Sequence, residues 1–222
     1  MRSSMQPRSY EQYCGLAFAL DAVGERWAFL VIRELLAGPR RFGDLMAGLK
    51  GVATNTLTSR LEELEHHGLI TSRQLPAPAS TSVYELTELG RGLEPAVLEL
   101  VRWAAPQLKH ADRRKMAPLR SSWLALALKA FFVPKRAKKS QGHVVFDLPT
   151  GALSVEVKED AAVLRDAAPS DAPGARFKCR EDIVMALVTK AAPLAELLKS
   201  PGVELVGDAK VLVRVISAFE RG

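Results

Sequence analysis

Long apolar segments and cysteine pairs are both missing from this 222-residue chain. No run of 18 or more apolar residues occurs, so we expect no membrane-spanning helix and no membrane partner. The first nine residues are polar and lack the apolar segment of a secretory signal. The two cysteines, Cys14 and Cys179, are too few for a disulfide framework. These absences predict a cytoplasmic protein that begins with a disordered tail over residues 1–12.

The motifs of common enzymes and metal sites are also absent. The chain contains no GxSxG, no glycine-rich phosphate loop, no HExxH and no Cys/His cluster at metal-ligand spacing. The four histidines are expected at helix ends, in a linker and at a strand edge: His66, His67, His110 and His143. The chain is therefore predicted to be no enzyme and to use no cofactor or metal.

Acidic residues are scarce in one part of the chain, and this locates the positive charge. Residues 1–112 hold 12 Lys/Arg and 13 Asp/Glu, whereas residues 113–222 hold 19 and 12. The stretch 113–139 contains nine basic residues and no acidic one. The net charge of +6 therefore does not by itself indicate that the first half binds DNA. The run Lys135–Lys139 could contact phosphates or form a solubilising loop, and both interpretations stay open.

The first half of the chain shows helical spacing of apolar residues up to Gly68. Glycine or Gly-Pro ends the later helices. The pattern predicts helices over 13–23, 25–37, 42–51 and from about 54 to 68. The last two are short helices joined by a tight turn, which is the helix-turn-helix arrangement.

After Gly68 the pattern changes to that of β-strands. Leu69–Arg73 and Ser82–Leu86 are β-prone, and the tip Leu75–Thr81 between them contains two prolines. Thr87 is then predicted to cap one helix that runs to about Trp103. A hairpin directly after a helix-turn-helix is a wing, so the order of the elements predicts a winged helix-turn-helix.

The second helix of the helix-turn-helix has a polar outer face. When its leucines are placed inward at about 100° per residue, a hydroxyl-rich face with one asparagine points outward. Such side chains can reach base edges and phosphates in a major groove, although a simple solvated face is the alternative. The residues of this helix predicted to contact DNA are Thr54, Asn55, Thr56, Thr58, Ser59 and Arg60.

Four arginines are candidates for contact with DNA, and two of them have an alternative role within the protein or at its surface. Arg40 and Arg41, beside the first short helix, and Arg73, on the wing, are predicted to contact phosphates. A solvated surface arginine is the alternative for Arg73. Arg60 lies nearer the core side of its helix and could instead pair with Glu63.

The first half of the chain contains several short motifs that together point to a family. They include Gly24-Glu25-Arg26-Trp27, Arg33-Glu34-Leu35, Gly38-Pro39-Arg40-Arg41-Phe42, Leu57-Thr58-Ser59-Arg60-Leu61, Gly68-Leu69-Ile70 and Tyr84-Glu85-Leu86-Thr87. Over about residues 13–108 the chain resembles HxlR-type winged-helix regulators. The resemblance implies a homodimer whose first and last helices pack together, with one recognition helix for each half-site of double-stranded DNA.

Two departures from that family concern single residues, and one of them is Gly15, where family members commonly have a Pro after the cysteine. Family members place Ser or Pro near Ala53 and Thr54, so Thr54 itself is expected to cap the recognition helix. Some members use the cysteine that corresponds to Cys14 as a redox or electrophile sensor, which implies the same role here. The alternative is an inert thiol buried in the apolar first helix, with Arg26 as the nearest cation.

The second half has a different organisation. A polar, basic linker is predicted over 109–119, followed by a helix over 121–133. Alternating strands over 143–180, two helices, a strand at 203–206 and a closing helix over 210–219 predict an α+β domain at 120–222. Residues 123–219 resemble the SCP2-like sterol-carrier domains. This resemblance implies an apolar cavity between sheet and helices; a filled core that serves dimerisation is the alternative.

Together these patterns predict an α+β protein in which a winged helix-turn-helix domain precedes an SCP2-like domain. The predicted function is that of a dimeric, sequence-specific transcriptional regulator controlled by an apolar small molecule. The alternative is a lipid or small-molecule carrier whose winged domain serves only in dimerisation.

Overall fold

A computed structural model describes residues 9–76, 81–108, 119–168 and 171–219. The chain forms two compact units, 1–97 and 98–222, and the boundary falls within a helix that spans Glu94–Leu108. The predicted domain limits at 108 and 120 stay a prediction. Ten residues of the predicted linker, 109–118, lie outside the described residues, as do 1–8 of the predicted tail and 77–80 of the wing tip.

The first unit has the element order of a winged helix-turn-helix. Its described elements are α1 Gly15–Val23, α2 Ala28–Leu36, α3 Phe42–Gly48, α4 Thr54–His66, β1 Ile70–Gln74, β2 Ser82–Leu86, α5 Glu88–Arg91 and the start of α6 Glu94–Leu108. The inward face of α4 is formed by Leu57, Leu61 and Leu64, each with at most 2% of its surface exposed. The predicted winged helix-turn-helix is confirmed.

The wing is joined to the segment before α3 as well as to its own partner strand. The antiparallel strands pair Ile70 with Leu86 and Gln74 with Ser82. In addition, the backbone N–H of Arg40 donates to the Tyr84 carbonyl at 2.9 Å, and the N–H of Tyr84 donates to the Arg40 carbonyl at 2.8 Å. This short bridge attaches the start of the helix-turn-helix to the wing.

The helix predicted from Thr87 to about Trp103 is interrupted. Thr87 does cap a helix, because its Oγ1 accepts a hydrogen bond from the backbone N–H of Gly90 at 3.1 Å. That helix, α5, ends at Arg91, and the chain turns through Gly92 before α6 begins. Glycine favours such a break because it loses more backbone freedom in a helix than other residues do.

The expectation that Thr54 caps the recognition helix is wrong. Ala53 is the N-cap residue, with an extended backbone and no side-chain hydrogen bond, and Thr54 is the first helical residue. A capping hydroxyl must come from the extended residue before the helix, and Thr54 lies one position too late. The Thr54 carbonyl instead accepts a hydrogen bond from Thr58 Oγ1 at 3.1 Å.

The second unit is an α+β domain around a five-stranded sheet. Its described elements are α7 Ser121–Phe131, α8 Pro134–Ala137, β3 Gly142–Leu148, β4 Gly151–Val157, β5 Ala162–Asp166, β6 Ala175–Lys178, α9 Glu181–Val188, α10 Leu194–Leu197, β7 Glu204–Gly207 and α11 Ala209–Ile216, followed by a 3₁₀ turn Ser217–Phe219. The strand order is β5-β4-β3-β6-β7, and only β3 and β6 are parallel.

One face of this sheet is packed against α7, α9 and α11. The sheet contributes Phe146 and Phe177, whose rings meet edge to face at 6.3 Å and have no exposed surface. The helices contribute the fully buried side chains Leu124, Leu128, Val184, Val188, Leu212 and Val215. Close packing of this kind fills the space between the layers with side chains. No described helix is long and apolar enough to cross a membrane.

An apolar groove lies elsewhere in the second unit. Its volume is about 360 Å³. It is lined by the end of α9, the segment that leads into α10, and one side of α11: Leu187, Lys190, Ala192, Pro193, Leu194, Leu212, Val213 and Ile216. These residues all belong to helices and their connections, so the groove is not the cavity between sheet and helices that the SCP2-like resemblance implies. That resemblance stays a prediction.

Candidate nucleic-acid interface

The first two turns of α4 present the polar face that the sequence predicts. Thr54, Asn55, Thr56, Thr58 and Ser59 are all exposed. The helix N-terminus also leaves backbone N–H groups without intrahelical partners and has a partial positive charge, which favours a nearby phosphate. This end of α4 therefore offers amide, hydroxyl and backbone donors on one surface.

The second half of α4 has the opposite character. Glu62, Glu63 and Glu65 follow one another closely there, and burial together with Glu65 and Glu62 raises the pKa of Tyr84 on the wing. Carboxylates repel the DNA backbone, so only the first two turns of α4 suit contact with a phosphate-lined groove. The three glutamates can be read from the sequence, but only the structure shows that two of them, Glu62 and Glu65, lie near Tyr84 of the wing.

Arg60 is buried and paired within the protein. Its side chain is 10% exposed and forms ion pairs with Glu63 on its own helix and with Glu25, at 3.5 Å, in the turn between α1 and α2. The predicted pairing with Glu63 is confirmed. The guanidinium thereby ties α4 to the preceding helices, and in this arrangement it is not presented to a phosphate.

The other three predicted arginines differ in their exposure and in their contacts within the protein. Arg41 is exposed just before α3, and its backbone N–H donates to Asp44 Oδ2 at 3.1 Å. Arg40 is half-buried in the bridge to the wing. Arg73 on β1 donates from Nε to Glu85 Oε1 on β2 at 2.9 Å, so its charge is partly neutralised. Of the three, Arg41 is the most available to a phosphate.

Cys14 is exposed, and the expectation that it is buried in the apolar first helix is wrong. It is the extended N-cap residue of α1, one position before the helix begins. The backbone N–H groups of Ala17 and Leu16, at the start of the helix, lower the pKa of the Cys14 thiol below its usual value. Cys179, in contrast, is buried, and burial raises its pKa to about 12. The two thiols are therefore chemically distinct.

Helix α1 has an exposed apolar surface. Leu16 is 68% exposed and Phe18 is 76% exposed, and Tyr13 just before the helix is fully exposed. Apolar side chains of this size are rarely so exposed at neighbouring positions unless another surface covers them. Among the residues that the structure describes, no group of His, Cys, Asp and Glu is suited to hold a metal ion.

The region that contains α3, α4 and the wing is shared with known proteins. The HxlR-like helix-turn-helix family matches residues 22–112. The HTH-type transcriptional regulator YodB of Bacillus subtilis is 33% identical over 86 residues, which are 39% of this chain and 77% of YodB. YvaP of the same organism, an uncharacterised HTH-type transcriptional regulator, is 34% identical over 39% of this chain and 80% of its own length. The chain belongs to the HxlR-like family.

Other relatives extend beyond the region shared with this HxlR-like chain. An uncharacterised HTH-type regulator of Synechocystis is 38% identical over 87 residues, but the chain spans only 64% of its length.

Among solved structures, the reduced redox regulator HypR is 29% identical over 42% of this chain and 92% of its own, with a TM-score of 0.40. Reduced YodB from B. subtilis is 29% identical over 46% of this chain and 100% of its own, with a TM-score of 0.40.

The HxlR-like match covers α2 to α6 and every residue predicted to contact DNA. It begins after Cys14 and ends before the sheet of the second unit. The family assignment therefore concerns the winged helix-turn-helix, and the roles of Cys14 and of the second unit need arguments of their own.

Proposed function

We propose that the chain is a sequence-specific, DNA-binding transcriptional regulator that acts in the cytoplasm. The observation that carries this proposal is the exposed polar face on the first two turns of α4, held by a leucine core within a winged helix-turn-helix. A major groove is wide enough to admit such a helix. The names of the relatives, which are transcriptional regulators, support the same function.

Each residue of this interface has a proposed role. Asn55 and Ser59 contact base edges, because they lie one turn apart at the centre of the outer face, and asparagine can pair with adenine through two hydrogen bonds. Thr54, Thr56 and Thr58 contact phosphates or bases beside them. Arg40, Arg41 and Arg73 contact phosphates, with Arg41 the most exposed of the three. Arg60 positions α4 through its two ion pairs.

We further propose that the regulator is a homodimer. The exposed apolar side chains of Tyr13, Leu16 and Phe18 provide a surface that a second copy of the chain would cover. A dimer would place two recognition helices about 34 Å apart, which matches one turn of DNA between half-sites. The alternative of a carrier whose winged domain only dimerises is not favoured, because the relatives are named as regulators.

The groove of the second unit is the proposed effector site. It is lined mostly by apolar side chains, so it suits a small apolar molecule. Such a molecule would regulate DNA binding only if it bound the DNA-competent and incompetent states with different affinity. Cys14, exposed and with a lowered pKa, is a second proposed input: its thiolate would be oxidised by a peroxide to a sulfenic acid, with release of hydroxide.

The test is footprinting on the DNA that flanks the gene of the protein, at near-physiological salt. Two protected patches one helical turn apart are expected for the wild-type chain. The double variant Asn55→Ala/Ser59→Ala should lose about 5- to 150-fold in affinity for this site, because a good pair of hydrogen bonds to a base contributes roughly 1–3 kcal/mol of discrimination. Its affinity for random DNA should stay unchanged.

A matched control removes one amide and one hydroxyl elsewhere. The variant Gln107→Ala/Thr189→Ala loses the same kinds of group at exposed positions outside α4, and its binding should equal that of the wild type. Equal losses of specific and random binding in the α4 variant would show that Asn55 and Ser59 do not read bases. Absence of any protected site for the wild-type chain would refute the proposed function itself.

A further inference from the structure

A cationic surface lies in the second unit, and α11 contributes both to it and to the groove. One part of it is the segment Pro134–Ser140, which comprises α8 and the turn after it. This segment is anchored, because Ala137 and Ser140 are buried and Ser140 Oγ lies 2.8 Å from Ser217 Oγ. The backbone N–H of Val133 also donates to the Ala218 carbonyl at 2.8 Å. The basic segment is therefore held against the end of α11.

The anchored segment presents its lysines outward. Lys135, Lys138 and Lys139 are exposed, in contrast to the buried Ala137 between them. A loop that only increases solubility does not need buried contacts, because exposed lysines have that effect wherever they lie. The buried contacts instead hold three cations in a defined place.

The outer face of α11 adds two more cations. Lys210 and Arg214 lie one helical turn apart and are exposed, on the side opposite the buried Leu212 and Val215. Arg214 Nη2 lies 3.6 Å from the position that a Cβ on Gly142 would occupy, and Gly142 comes two residues after the anchored segment. Arg214 therefore lies near the anchored segment and Lys210 lies one helical turn from Arg214, although about 75 positions of sequence separate them from the lysines. Together we call these five side chains the cationic surface.

These five side chains are not neutralised by the domain. Among the residues that the structure describes, no carboxylate oxygen lies within 4.0 Å of their charged nitrogens. Other surface cations of the same unit are paired, as Lys178 is with Glu204 at 2.8 Å. Asp208, just before α11, accepts a hydrogen bond from the backbone N–H of Lys210 at 2.8 Å, and Glu156 on the adjoining hairpin pairs with Lys158 at 3.4 Å. Like charges held close together repel, so their joint surface favours a polyanion.

We infer that this cationic surface binds backbone phosphates of the DNA that the first unit recognises, so that both units contact the same duplex. The inference rests on the proposed function, which supplies duplex DNA as the polyanion. Lysine and arginine ends contact phosphates without reading bases, and the surface has no amide or hydroxyl positioned for base edges among its five members. Its contribution is therefore salt-sensitive affinity, and α4 supplies the sequence preference.

The experiment compares the salt dependence of DNA binding by three full-length chains. The surface variant is Lys135→Gln/Lys138→Gln/Lys139→Gln. The control variant, Lys178→Gln/Arg180→Gln/Lys199→Gln, removes the same charge from exposed positions of the same unit outside the cationic surface. Circular dichroism should show that both fold like the wild type, because the replaced side chains are exposed. Binding to a duplex that contains the footprinted site and to a random duplex is measured at several salt concentrations.

The slope of log K against log salt should become shallower by about 0.9 for each phosphate that the variant no longer neutralises, and so by about 2–3 in the surface variant. The decrease in affinity should be equal on the specific and random duplexes, and affinity at about 0.1 M salt should fall at least tenfold. The control should keep the wild-type slope. A surface variant with the slope of the control would overturn the inference while leaving the α4 interface intact.

Two further results separate the inference from the proposed function. If the wild-type chain binds no duplex at any salt, the proposed function fails and the inference fails with it. If the surface variant keeps its DNA slope but no longer binds vesicles that contain anionic phospholipid, which the wild type does bind, the surface serves a membrane and the inference is wrong.

Discussion

Replacing Arg60 with alanine separates two roles that the sequence leaves open, a contact with DNA and a contact within the fold. The side chain is 10% exposed and pairs with Glu25 and Glu63, whose own side chains are 56% and 39% exposed. Because these carboxylates reach solvent, each pair contributes only about 0.2–1 kcal/mol. The truncation also removes two buried methylene groups, worth about 0.8 kcal/mol each.

The expected loss of stability in the first unit is therefore about 2–3.5 kcal/mol. Nε of Arg60 is buried and has no hydrogen-bond partner among the described residues, so the guanidinium contributes toward the lower end of that range. The variant Arg60→Met keeps an apolar stem of similar length, with sulfur in place of Cδ, and should lose mainly the ion pairs, about 0.5–2 kcal/mol. The difference between the two variants measures the packing of the side-chain stem.

The assay is hydrogen exchange of peptides from α4 in increasing urea, with peptides from α7 as an internal reference. Protection of α4 should fall in both variants, and protection of α7 should not. The salt slope of DNA binding, measured at a temperature where the variants are folded, should equal that of the wild type. A slope that falls by about 0.9, the value for one phosphate, while α4 keeps its protection would refute the structural role of Arg60.

Two further predictions concern the thiols and one glycine. In the folded chain, a thiol reagent should modify Cys14 with a midpoint at lower pH than it modifies an unperturbed cysteine in a short peptide, because backbone N–H groups stabilise the Cys14 thiolate. Cys179 should react only after unfolding, and mass spectrometry that shows equal labelling of the two cysteines would contradict this. The substitution Gly90→Ala should destabilise the first unit by more than the helix propensity of alanine could gain, because the new Cβ would lie 2.0 Å from the Leu69 carbonyl oxygen. A thermal midpoint equal to or above the wild type would show that the wing and α5 shift freely to accept it.

Much of the first unit could be predicted because its information is local. The spacing of Leu57, Leu61 and Leu64 determines which side of α4 is buried, and therefore also that Asn55 and Ser59 face outward. Gly68 and the β-prone segments after it likewise locate the wing. These features depend on neighbours within a few residues, and periodicity reports such neighbours directly.

Two wrong predictions concern residues at helix ends, where a shift of the boundary by one residue changes the environment of the side chain. Cys14 was expected inside the first helix and Thr54 before the recognition helix, but each lies on the other side of a helix boundary. A shift of one residue at a helix end changes an enclosed thiol into an exposed one, and a cap into a first helical residue. Helix ends are set by small differences in free energy, so periodicity does not locate them to one residue.

By itself, the sequence determined the helix-turn-helix, the wing, the polar face of α4 and the concentration of basic residues after residue 112. The tertiary structure alone decided that Arg60 pairs with Glu25, that the Arg40 segment bridges to the wing, and that the basic segment Pro134–Ser140 lies against the end of α11. It also decided that β3 pairs with β6 in parallel. The reason is physical: an amphipathic pattern specifies which side of an element is buried, whereas its partner is chosen by the packing of distant segments.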